Sequence, residues 1–273
     1  MIEVKGLSYV YQPMGVVALQ DIDLTIKDCE FVAIIGQNGS GKTTLVKHFN
    51  GLLKPTKGQV LIDGVDTKNE SISRLSRKVG YVFQNPDHQI FAESVREEIE
   101  FGPKNLGFSK EELQKIVEEV SKRVGLYEYL NDPPISLGKG QRQRLAVASI
   151  LAMQPSILVI DEPTTGQDWK ECIAIMDLLD ELNKKGKTII VVTHNMKLVS
   201  LYAKRTVVML GGRILLDGPT DEVFTRIEDL EKAFIRPPSS YLLGMHFSKL
   251  LGLKELRMDV EGVSSAIIKR IKG

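Results

Sequence analysis

The chain has 273 residues, of which 42% are hydrophobic and 26% are charged, and its formal net charge is +1. This composition is typical of a globular protein and argues against a disordered chain or a strongly basic nucleic-acid-binding domain, so we expect no nucleic-acid partner. The first residues, MIEVKGLSYVYQ, lack a basic start followed by an apolar core, and no apolar run approaches the roughly 20 residues of a membrane helix. We therefore expect a cytoplasmic protein, built as one large domain or as a main domain with appendages.

The N-terminal segments predict an antiparallel sheet. Apolar and polar residues alternate in IEVKGLSYVY, LQDIDLTI and GQVLIDG, which suits strands with one face toward water. In contrast, FVAII, ILVI, TIIVV and TVVML are continuous apolar runs, typical of parallel strands that are buried on both faces. Amphipathic stretches separate these runs, so the pattern predicts an α/β fold in which a small β subdomain flanks a parallel core.

The segment GQNGSGKTT, residues 36–44, directly follows FVAII and runs into the helical stretch TLVKHFNGLL. A strand, GxxxxGK[ST] and a helix form a phosphate-binding loop, because the glycines let backbone N–H groups converge on phosphate oxygens at the positive end of the helix. We expect Lys42 to reach the β- and γ-phosphates, Thr43 to hold Mg²⁺ and Thr44 to donate to the α-phosphate. A plain glycine turn between a strand and a helix is the alternative.

Tyr11, in the first predicted strand, is a candidate for stacking on an adenine ring, although a strand aromatic is as often part of a core. The complete set of candidate ATP-binding residues is Tyr11, Gly36, Asn38, Gly39, Ser40, Gly41, Lys42, Thr43 and Thr44.

A change of pattern marks a helical insertion over roughly residues 86–154. Ser109 and Glu112 form a capping-box pair, and the apolar residues that follow recur with helical spacing as far as Gly125. Gly211 and Gly212 predict a hairpin turn between two later strands. Beyond about residue 225 the tail contains RPPSS and short apolar patches, so we divide the chain into a main domain, residues 1–225, and a small C-terminal module, residues 226–273.

An acidic pair and a histidine follow two of the predicted parallel strands. Asp161 is placed to orient Mg²⁺ through water, and Glu162 to polarise an attacking water. A lone histidine is usually structural, but the ends of parallel strands share one rim of a sheet, so His194 could bond the γ-phosphate and hold Glu162 in line. Helix capping by the acidic pair is the alternative, and a phosphate loop alone does not separate kinases, GTPases and ATPases.

With these motifs in this order, nearly all of residues 1–225 resembles the ATP-binding cassette (ABC) ATPases, the nucleotide-binding subunits of ABC transporters. The resemblance implies a P-loop NTPase core with a RecA-like parallel sheet, an N-terminal antiparallel β subdomain, a helical signature subdomain and a small C-terminal module. It implies that Gln84, in YVFQNPD, is the Q-loop glutamine that touches Mg²⁺, and that Asp168, in TTGQD, is the D-loop aspartate. The implied catalytic residues are Glu162, His194 and Gln84, and the implied Mg²⁺ residues are Thr43, Gln84 and Asp161.

The segment SLGKGQRQRLAVASIL resembles the family signature, a glycine turn that opens a helix and is aimed at the γ-phosphate held by a second subunit. The signature residues, which stand where LSGGQ is usual, are Leu137, Gly138, Lys139, Gly140 and Gln141. Gly138 is a departure, because the family serine supplies a hydroxyl to the γ-phosphate, so one hydrogen bond, worth roughly 0.5–3 kcal/mol, is missing. We hypothesise that the site completed by this signature hydrolyses ATP slowly.

The stretch FQNPDHQIFAESVREEIEFGPKNLGF, residues 83–108, resembles the energy-coupling factor (ECF) ATPases, including the cobalt and nickel uptake type. The resemblance implies three partners: a second ABC ATPase subunit, an integral membrane coupling protein that communicates with a short helix containing Gln89, and a substrate-binding membrane protein. We expect an ATPase on the cytoplasmic face of the membrane that powers uptake of a vitamin or metal ion, paired with an identical or a different cassette. An ABC ATPase of another importer class and a soluble ABC ATPase acting on DNA or ribosomes are the alternatives.

Overall fold

The structure, a computed structural model, describes residues 1–164, 167–251, 262–265 and 268. Its strands form one sheet of four strands and one of six. The strands are β1 (Ile2–Tyr11), β2 (Val16–Ile26), β3 (Phe31–Gly36), β4 (Lys57–Ile62), β5 (Val65–Asp66), β6 (Val79–Val82), β7 (Ile157–Asp161), β8 (Thr188–Val192), β9 (Arg205–Leu210) and β10 (Arg213–Pro219).

The four-stranded sheet has the order β2-β1-β4-β5 and is antiparallel throughout. Its strands bury alternate residues, such as Ile2 and Val4 on β1, and leave those between them more accessible. This is the N-terminal antiparallel subdomain that the alternating sequence pattern predicts.

The six-stranded sheet has the order β10-β9-β3-β8-β7-β6, in which β9, β3, β8, β7 and β6 pair in parallel. On β3, Phe31, Ala33 and Ile35 pack in one core cluster while Val32 and Ile34 pack in a second, so both faces of the sheet are covered. Burial on both faces explains why the sequences of these strands are continuously apolar. The short strand β6 escaped the sequence analysis, since its four residues, VGYV, run directly into the Q-loop motif.

The hairpin predicted at two adjacent glycines joins β9 to the antiparallel strand β10. Gly211 and Gly212 have φ angles of 54° and 77°, which a two-residue hairpin of this kind requires.

Helices cover both faces of the parallel sheet and form the predicted insertion. They are α1 (Lys42–Phe49), α2 (Ile72–Leu75), α3 (Val95–Asn105), α4 (Lys110–Arg123), α5 (Lys139–Ala152), α6 (Trp169–Lys184), α7 (Met196–Tyr202), α8 (Thr220–Thr225), α9 (Ile227–Lys232) and α10 (Ser239–Leu251). The α4 helix begins with the expected reciprocal capping box of Ser109 and Glu112, and its face of Ile116, Val117 and Val120 is buried. No helix among the described residues has the length and apolar character needed to cross a membrane.

The C-terminal segment packs against the same core as the parallel sheet. Leu230, Ala233, Ile235 and Tyr241 belong to the larger core cluster, and the Tyr241 ring meets the Phe224 ring edge-on, with centroids 5.1 Å apart. Residues 252–261, 266, 267 and 269–273 of the predicted C-terminal module lie outside the described residues. The boundary at residue 225 stays a prediction.

Candidate functional site

The loop between β3 and α1 has a backbone that only glycine accommodates at two points. Gly36, Gly39 and Gly41 have φ angles of 155°, 79° and 102°. A Cβ atom on Gly36 would lie 2.4 Å from the Met209 carbonyl oxygen, and one on Gly41 would lie 2.7 Å from the Ala18 carbonyl oxygen. Gly36 and Gly41 are therefore required by close backbone approach as well as by their φ angles, whereas Gly39 is favoured by its φ angle alone.

The Lys42 side chain folds back along this loop. Its Nζ donates to the Gly36 carbonyl at 2.8 Å and to the Gln37 carbonyl at 2.9 Å, and the side chain is buried. Burial lowers the pKa of the ammonium, and the nearby Glu162 and Asp161 carboxylates oppose that shift. The loop is thus preformed around a positive charge before any ligand is present.

Asp161, the last residue of β7, is almost completely buried. Its Oδ2 accepts a hydrogen bond of 2.9 Å from the Tyr81 hydroxyl, while its Oδ1 is buried and has no partner among the described residues. Burial raises the pKa of this carboxyl, against the opposing effect of the Thr43 and Tyr81 hydroxyls and the nearby lysines. The site therefore holds a buried carboxylate oxygen that lacks a partner beside the hydroxyl of the phosphate loop.

Tyr81 is a site residue that the sequence analysis missed. It lies on β6, which pairs with β7 so that Tyr81 is opposite Val159. The available signal was its position three residues before Gln84 in YVFQ, but that spacing has no meaning until β6 is recognised as the neighbour of β7.

Glu162 and His194 meet at the ends of adjacent strands. The Glu162 backbone has a φ of 50°, rare for a residue other than glycine, and its N–H donates to the Val192 carbonyl at 2.8 Å. His194 Nδ1 lies 2.8 Å from Glu162 Oε2, with the glutamate side chain only 8% exposed and the histidine 67% exposed. An unusual backbone conformation held by a strand-to-strand hydrogen bond is typical of functional positions.

The phosphate loop, Glu162 and His194 line a cleft made of two lobes. The first lobe, about 320 Å³, lies over the phosphate loop, and the second, about 550 Å³, lies over Glu162 and His194. Asn38, Gln84 and Glu162 line both lobes, so they form the boundary between them.

The outer wall of the first lobe contains Tyr11 and three residues that the sequence analysis did not consider, Val16, Val17 and Ala18. The Tyr11 hydroxyl lies 3.1 Å from the Thr44 hydroxyl, and its ring is partly exposed. Ser40, on the loop itself, has a buried hydroxyl oxygen without a partner among the described residues. The wall offers an apolar surface and one aromatic ring beside the phosphate loop.

The predicted signature turn, Leu137–Gln141, is not brought into this cleft, since none of its residues lines either lobe. Gly138 is exposed and caps α5 with φ −62° and ψ 162°, a conformation open to any residue. The Gly138 N–H donates to Gln141 Oε1 at 2.9 Å. Leu137 and Gly140 are buried and Lys139 is exposed, so the turn presents Gly138 and Lys139 to solvent.

Asp168 caps the helix that it precedes. Its Oδ1 accepts from the Glu171 N–H at 2.8 Å at the start of α6. The next residue, Trp169, is half-exposed, and the Lys197 ammonium lies 4.0 Å above the centre of its ring. Within one chain the carboxylate thus has a capping role.

Gln89 connects the Q-loop segment to the helix that begins at the signature. Its Oε1 accepts from the Phe83 N–H at 3.1 Å, and its Nε2 donates to the Ala146 carbonyl at 2.7 Å and the Ser149 hydroxyl at 3.0 Å. It also lines a groove of about 400 Å³ with the half-exposed side chains of Phe91 and Phe101, whose rings meet edge-on. The side chain of Gln89 therefore ties β6, α5 and an exposed apolar groove together.

A family model described as ABC transporter matches residues 19–165, which include the phosphate loop, the Q-loop segment, the signature turn and the acidic pair. The chain belongs to the ABC transporter family. This confirms the resemblance that the motif order indicates.

Curated relatives of this ABC transporter chain include the energy-coupling factor transporter ATP-binding protein EcfA of Methanocaldococcus jannaschii. It is 48% identical over 240 residues, which cover 87% of this chain and 86% of the relative. Some relatives are longer: the chain spans 45% of a putative ABC transporter ATP-binding protein of Caldanaerobacter subterraneus, at 46% identity, and 40% of one of Methanosarcina acetivorans.

Two solved structures match over most of their length. CbiO1 of Clostridium perfringens, part of the ABC transporter complex CbiONQ, aligns with a TM-score of 0.76 and 37% identity, covering 92% of this chain and 98% of that one. The ATP-binding cassette MJ0796, captured as a dimer in a post-hydrolysis state with ADP and phosphate, aligns with a TM-score of 0.74 and 33% identity, covering 81% and 99%. These matches confirm the P-loop NTPase fold.

Proposed function

We propose that this chain is the ATP-hydrolysing, nucleotide-binding subunit of an ECF-type importer of a vitamin or a transition-metal ion. The observation that carries the proposal is the convergence of the phosphate loop, Glu162 and His194 on one two-lobed cleft, with the buried carboxylate of Asp161 next to Glu162 in the chain. The relationship to EcfA and CbiO1 supports the ECF subtype. In this role the chain is a peripheral protein on the cytoplasmic face of the membrane.

ATP binds in the first lobe. The backbone N–H groups of the phosphate loop and the Lys42 ammonium hold the β- and γ-phosphates. The phosphates place negative charge beside the buried ammonium, which bonds only to backbone carbonyls among the described residues. The partly exposed Tyr11 ring and the valines beside it provide the apolar wall for the adenine base.

The residues beside the loop also fit Mg²⁺. The cation prefers oxygen ligands, and here the unpartnered buried Oδ1 of Asp161 lies beside the Thr43 hydroxyl, with the Gln84 amide on the boundary of the cleft. These three residues would hold the cation, which supplies charge neutralisation at the phosphates. The partnerless oxygen of Asp161 is the observation that favours such a cation.

Hydrolysis depends on Glu162. Its carboxylate takes a proton from water as the water oxygen attacks the γ-phosphorus and the bond to ADP breaks. His194 Nδ1 lies 2.8 Å from Glu162 Oε2 in the same lobe, from where it can orient this carboxylate, and Gln84 helps to orient the water. Positioning and electrostatics supply most of the catalysis, since phosphoryl transfer to water needs little covalent help.

A second cassette completes each site. The signature turn exposes Gly138 and Lys139 and lies outside its own chain's cleft, and Asp168 lines neither lobe, so both are available to a partner cassette, identical or different. The groove with Phe91 and Phe101 is the docking surface for the membrane coupling protein, which in turn contacts a substrate-binding membrane protein.

The hydrolytic role is tested with Glu162→Gln in the full chain co-purified with its membrane partners. The amide cannot accept a proton, so we expect turnover to fall by at least about 100-fold while ATP is retained and the ATP-bound dimer accumulates. Steady-state hydrolysis and size-exclusion chromatography with ATP measure the two effects. Glu118→Gln, on an exposed face of α4, is the matched control. Undiminished hydrolysis by Glu162→Gln would remove the glutamate from its role.

The membrane role is tested separately with Phe101→Ser. We expect loss of the co-purifying membrane protein with ATP binding intact, because the substitution removes half-exposed apolar surface from the groove and touches nothing in the cleft. Leu201→Ser removes a similarly exposed apolar side chain on α7 and should leave the complex intact. Equal yields of the complex from both variants would contradict the docking assignment.

A further inference from the structure

The C-terminal segment places an unusual turn at the edge of the catalytic lobe. The α9 helix ends in a Schellman turn, in which the Phe234 N–H donates to the Glu231 carbonyl at 2.9 Å and the Ile235 N–H to the Leu230 carbonyl at 2.9 Å. Phe234 occupies the left-handed position of this turn, with a φ of 54°, where glycine is the usual residue. Its side chain is 76% exposed, so core packing does not explain a bulky residue at this point.

The turn sets which residues face the cleft. Ile235 is buried in the core cluster, whereas Phe234 and Arg236 are exposed and line the lobe that contains Glu162 and His194. The Arg236 guanidinium forms no hydrogen bond or ion pair with any residue that the structure describes. The segment thus presents to the catalytic lobe a cation that has no partner among the described residues.

We propose that Arg236 binds the γ-phosphate of ATP, so that the C-terminal segment reads whether the cleft holds a triphosphate. The inference rests on the proposed function. We place the terminal phosphate of ATP at the boundary of the two lobes, which Asn38, Gln84 and Glu162 line, and Arg236 lies on the wall of the lobe beyond that boundary. ADP lacks this phosphate.

The chemistry of the side chain suits this role. A guanidinium offers several N–H donors in one plane and pairs well with phosphate oxygens, to which its hydrogen bonds are charge-assisted. The hydrogen-bonded turn and the buried Ile235 fix the backbone on the N-terminal side of Arg236, so little backbone freedom is lost on binding. His194 and Arg236 then contact the terminal phosphate from two different elements of the fold.

The test compares nucleotide affinities in the full chain carrying Glu162→Gln, which prevents hydrolysis during the measurement. Arg236→Ala should weaken ATP binding by about tenfold, the loss of one charge-assisted hydrogen bond, and leave ADP binding unchanged. Arg236→Lys should restore part of the ATP affinity. Lys232→Ala removes a cation from the same segment that pairs with Asp229 and does not line the lobe, so it should change neither affinity. Isothermal titration calorimetry with ATP and with ADP measures both affinities for each variant and for the Glu162→Gln parent.

Three results would overturn the inference. Unchanged ATP affinity in Arg236→Ala would exclude a phosphate contact, and equal losses for ATP and ADP would indicate a structural role. Weaker dimerisation with unaltered nucleotide affinity would assign Arg236 to a contact with the second cassette. If the Glu162→Gln chain with Arg236 intact binds no ATP, the proposed function itself fails, which separates the two failures.

Discussion

Two glycine turns open helices in this protein, and their backbones differ. In the phosphate loop, Gly41 has a φ of 102°, and a Cβ atom there would lie 2.7 Å from a carbonyl oxygen. In the signature turn, Gly138 has an ordinary extended conformation, and a Cβ atom would lie 3.5 Å from Gln141 Oε1, an ordinary contact. The first turn requires glycine because of contacts within its own chain, whereas no described residue requires glycine at Gly138. The effect of a side chain at Gly138 therefore depends on what meets that exposed surface.

The largest expected effect comes from adding one methyl group to each turn. Gly41→Ala forces a β-carbon against backbone in a left-handed conformation, so we expect a loss of roughly 2–4 kcal/mol in stability and no measurable ATP binding. Gly138→Ala should cost less than about 1 kcal/mol and leave ATP binding by the isolated chain unchanged. Urea unfolding and nucleotide titration measure both variants. Similar losses of stability and ATP binding in the two variants would contradict the inferred difference between the two turns.

The helices that follow the two turns also differ in whether they bury a histidine that can titrate. The α1 helix contains His48, fully buried, with Nδ1 2.7 Å from the Thr44 carbonyl oxygen and Nε2 without a partner among the described residues. Burial lowers the pKa of His48 from 6.5 to about 4, which keeps the ring neutral in the folded protein. No side chain that the structure buries on α5 is titratable.

The buried His48 predicts that the free energy of unfolding decreases at acidic pH. Between pH 6.5 and about 4 the unfolded chain protonates His48 and the folded protein does not, so stability falls as the pH falls, by roughly 3 kcal/mol over the window. His48→Gln should flatten this part of the profile. Urea unfolding of both proteins at several pH values tests it, and parallel profiles would assign the acid sensitivity to other groups.

A smaller effect is expected from Gly138→Ser. The new hydroxyl can accept from the Gln141 N–H and complete a capping box, and in the assembled site it can donate to the γ-phosphate of the partner cassette. We expect turnover at the site completed by this signature to rise severalfold, about 1 kcal/mol in activation free energy. Single-turnover hydrolysis in the complex measures it, with Gly138→Ala as control. An unchanged rate would reject the hypothesis that Gly138 slows this site.

Phe234 extends the comparison to a third turn, where a left-handed backbone carries a bulky residue. Phe234→Gly should raise the free energy of unfolding by about 0.5–1 kcal/mol, because glycine adopts this conformation without strain and little apolar burial is lost. Thermal and urea unfolding test this change. A destabilised variant would show that the exposed ring makes contacts that stabilise the turn.

The parts of the fold that were predictable are those in which one local rule decides. Continuous apolar runs marked β3, β7, β8 and β9, because strands covered on both faces have no polar residues to alternate. The two-glycine hairpin and the Ser109 capping box each depend on a few neighbouring residues. The short β6 was missed, because four residues are too few to show the apolar pattern of a buried strand.

The residues of the candidate site also differ in whether local sequence patterns predict them. Lys42, Asp161 and Glu162 were predicted because their motifs lie at strand ends, and the sheet order brings those ends to the same edge. Tyr81 on β6 donates to the Asp161 carboxylate, and Arg236 in the C-terminal segment lines the cleft, and only the three-dimensional arrangement shows these contacts. Residues supplied by a neighbouring strand or a distant segment have no fixed spacing from the motif they serve.

The Gln89 amide links an exposed groove to two separate elements of the fold. This one side chain is hydrogen-bonded on one side to the segment leaving β6 and on the other to the middle of α5, and it also lines the groove of Phe91 and Phe101. Force applied at that groove is therefore shared between a strand next to the one that carries Asp161 and the helix that begins at Gly138. In the proposed assembly, a partner bound in the groove would therefore contact, through one amide, both the strand beside β7 and the helix that carries the signature turn.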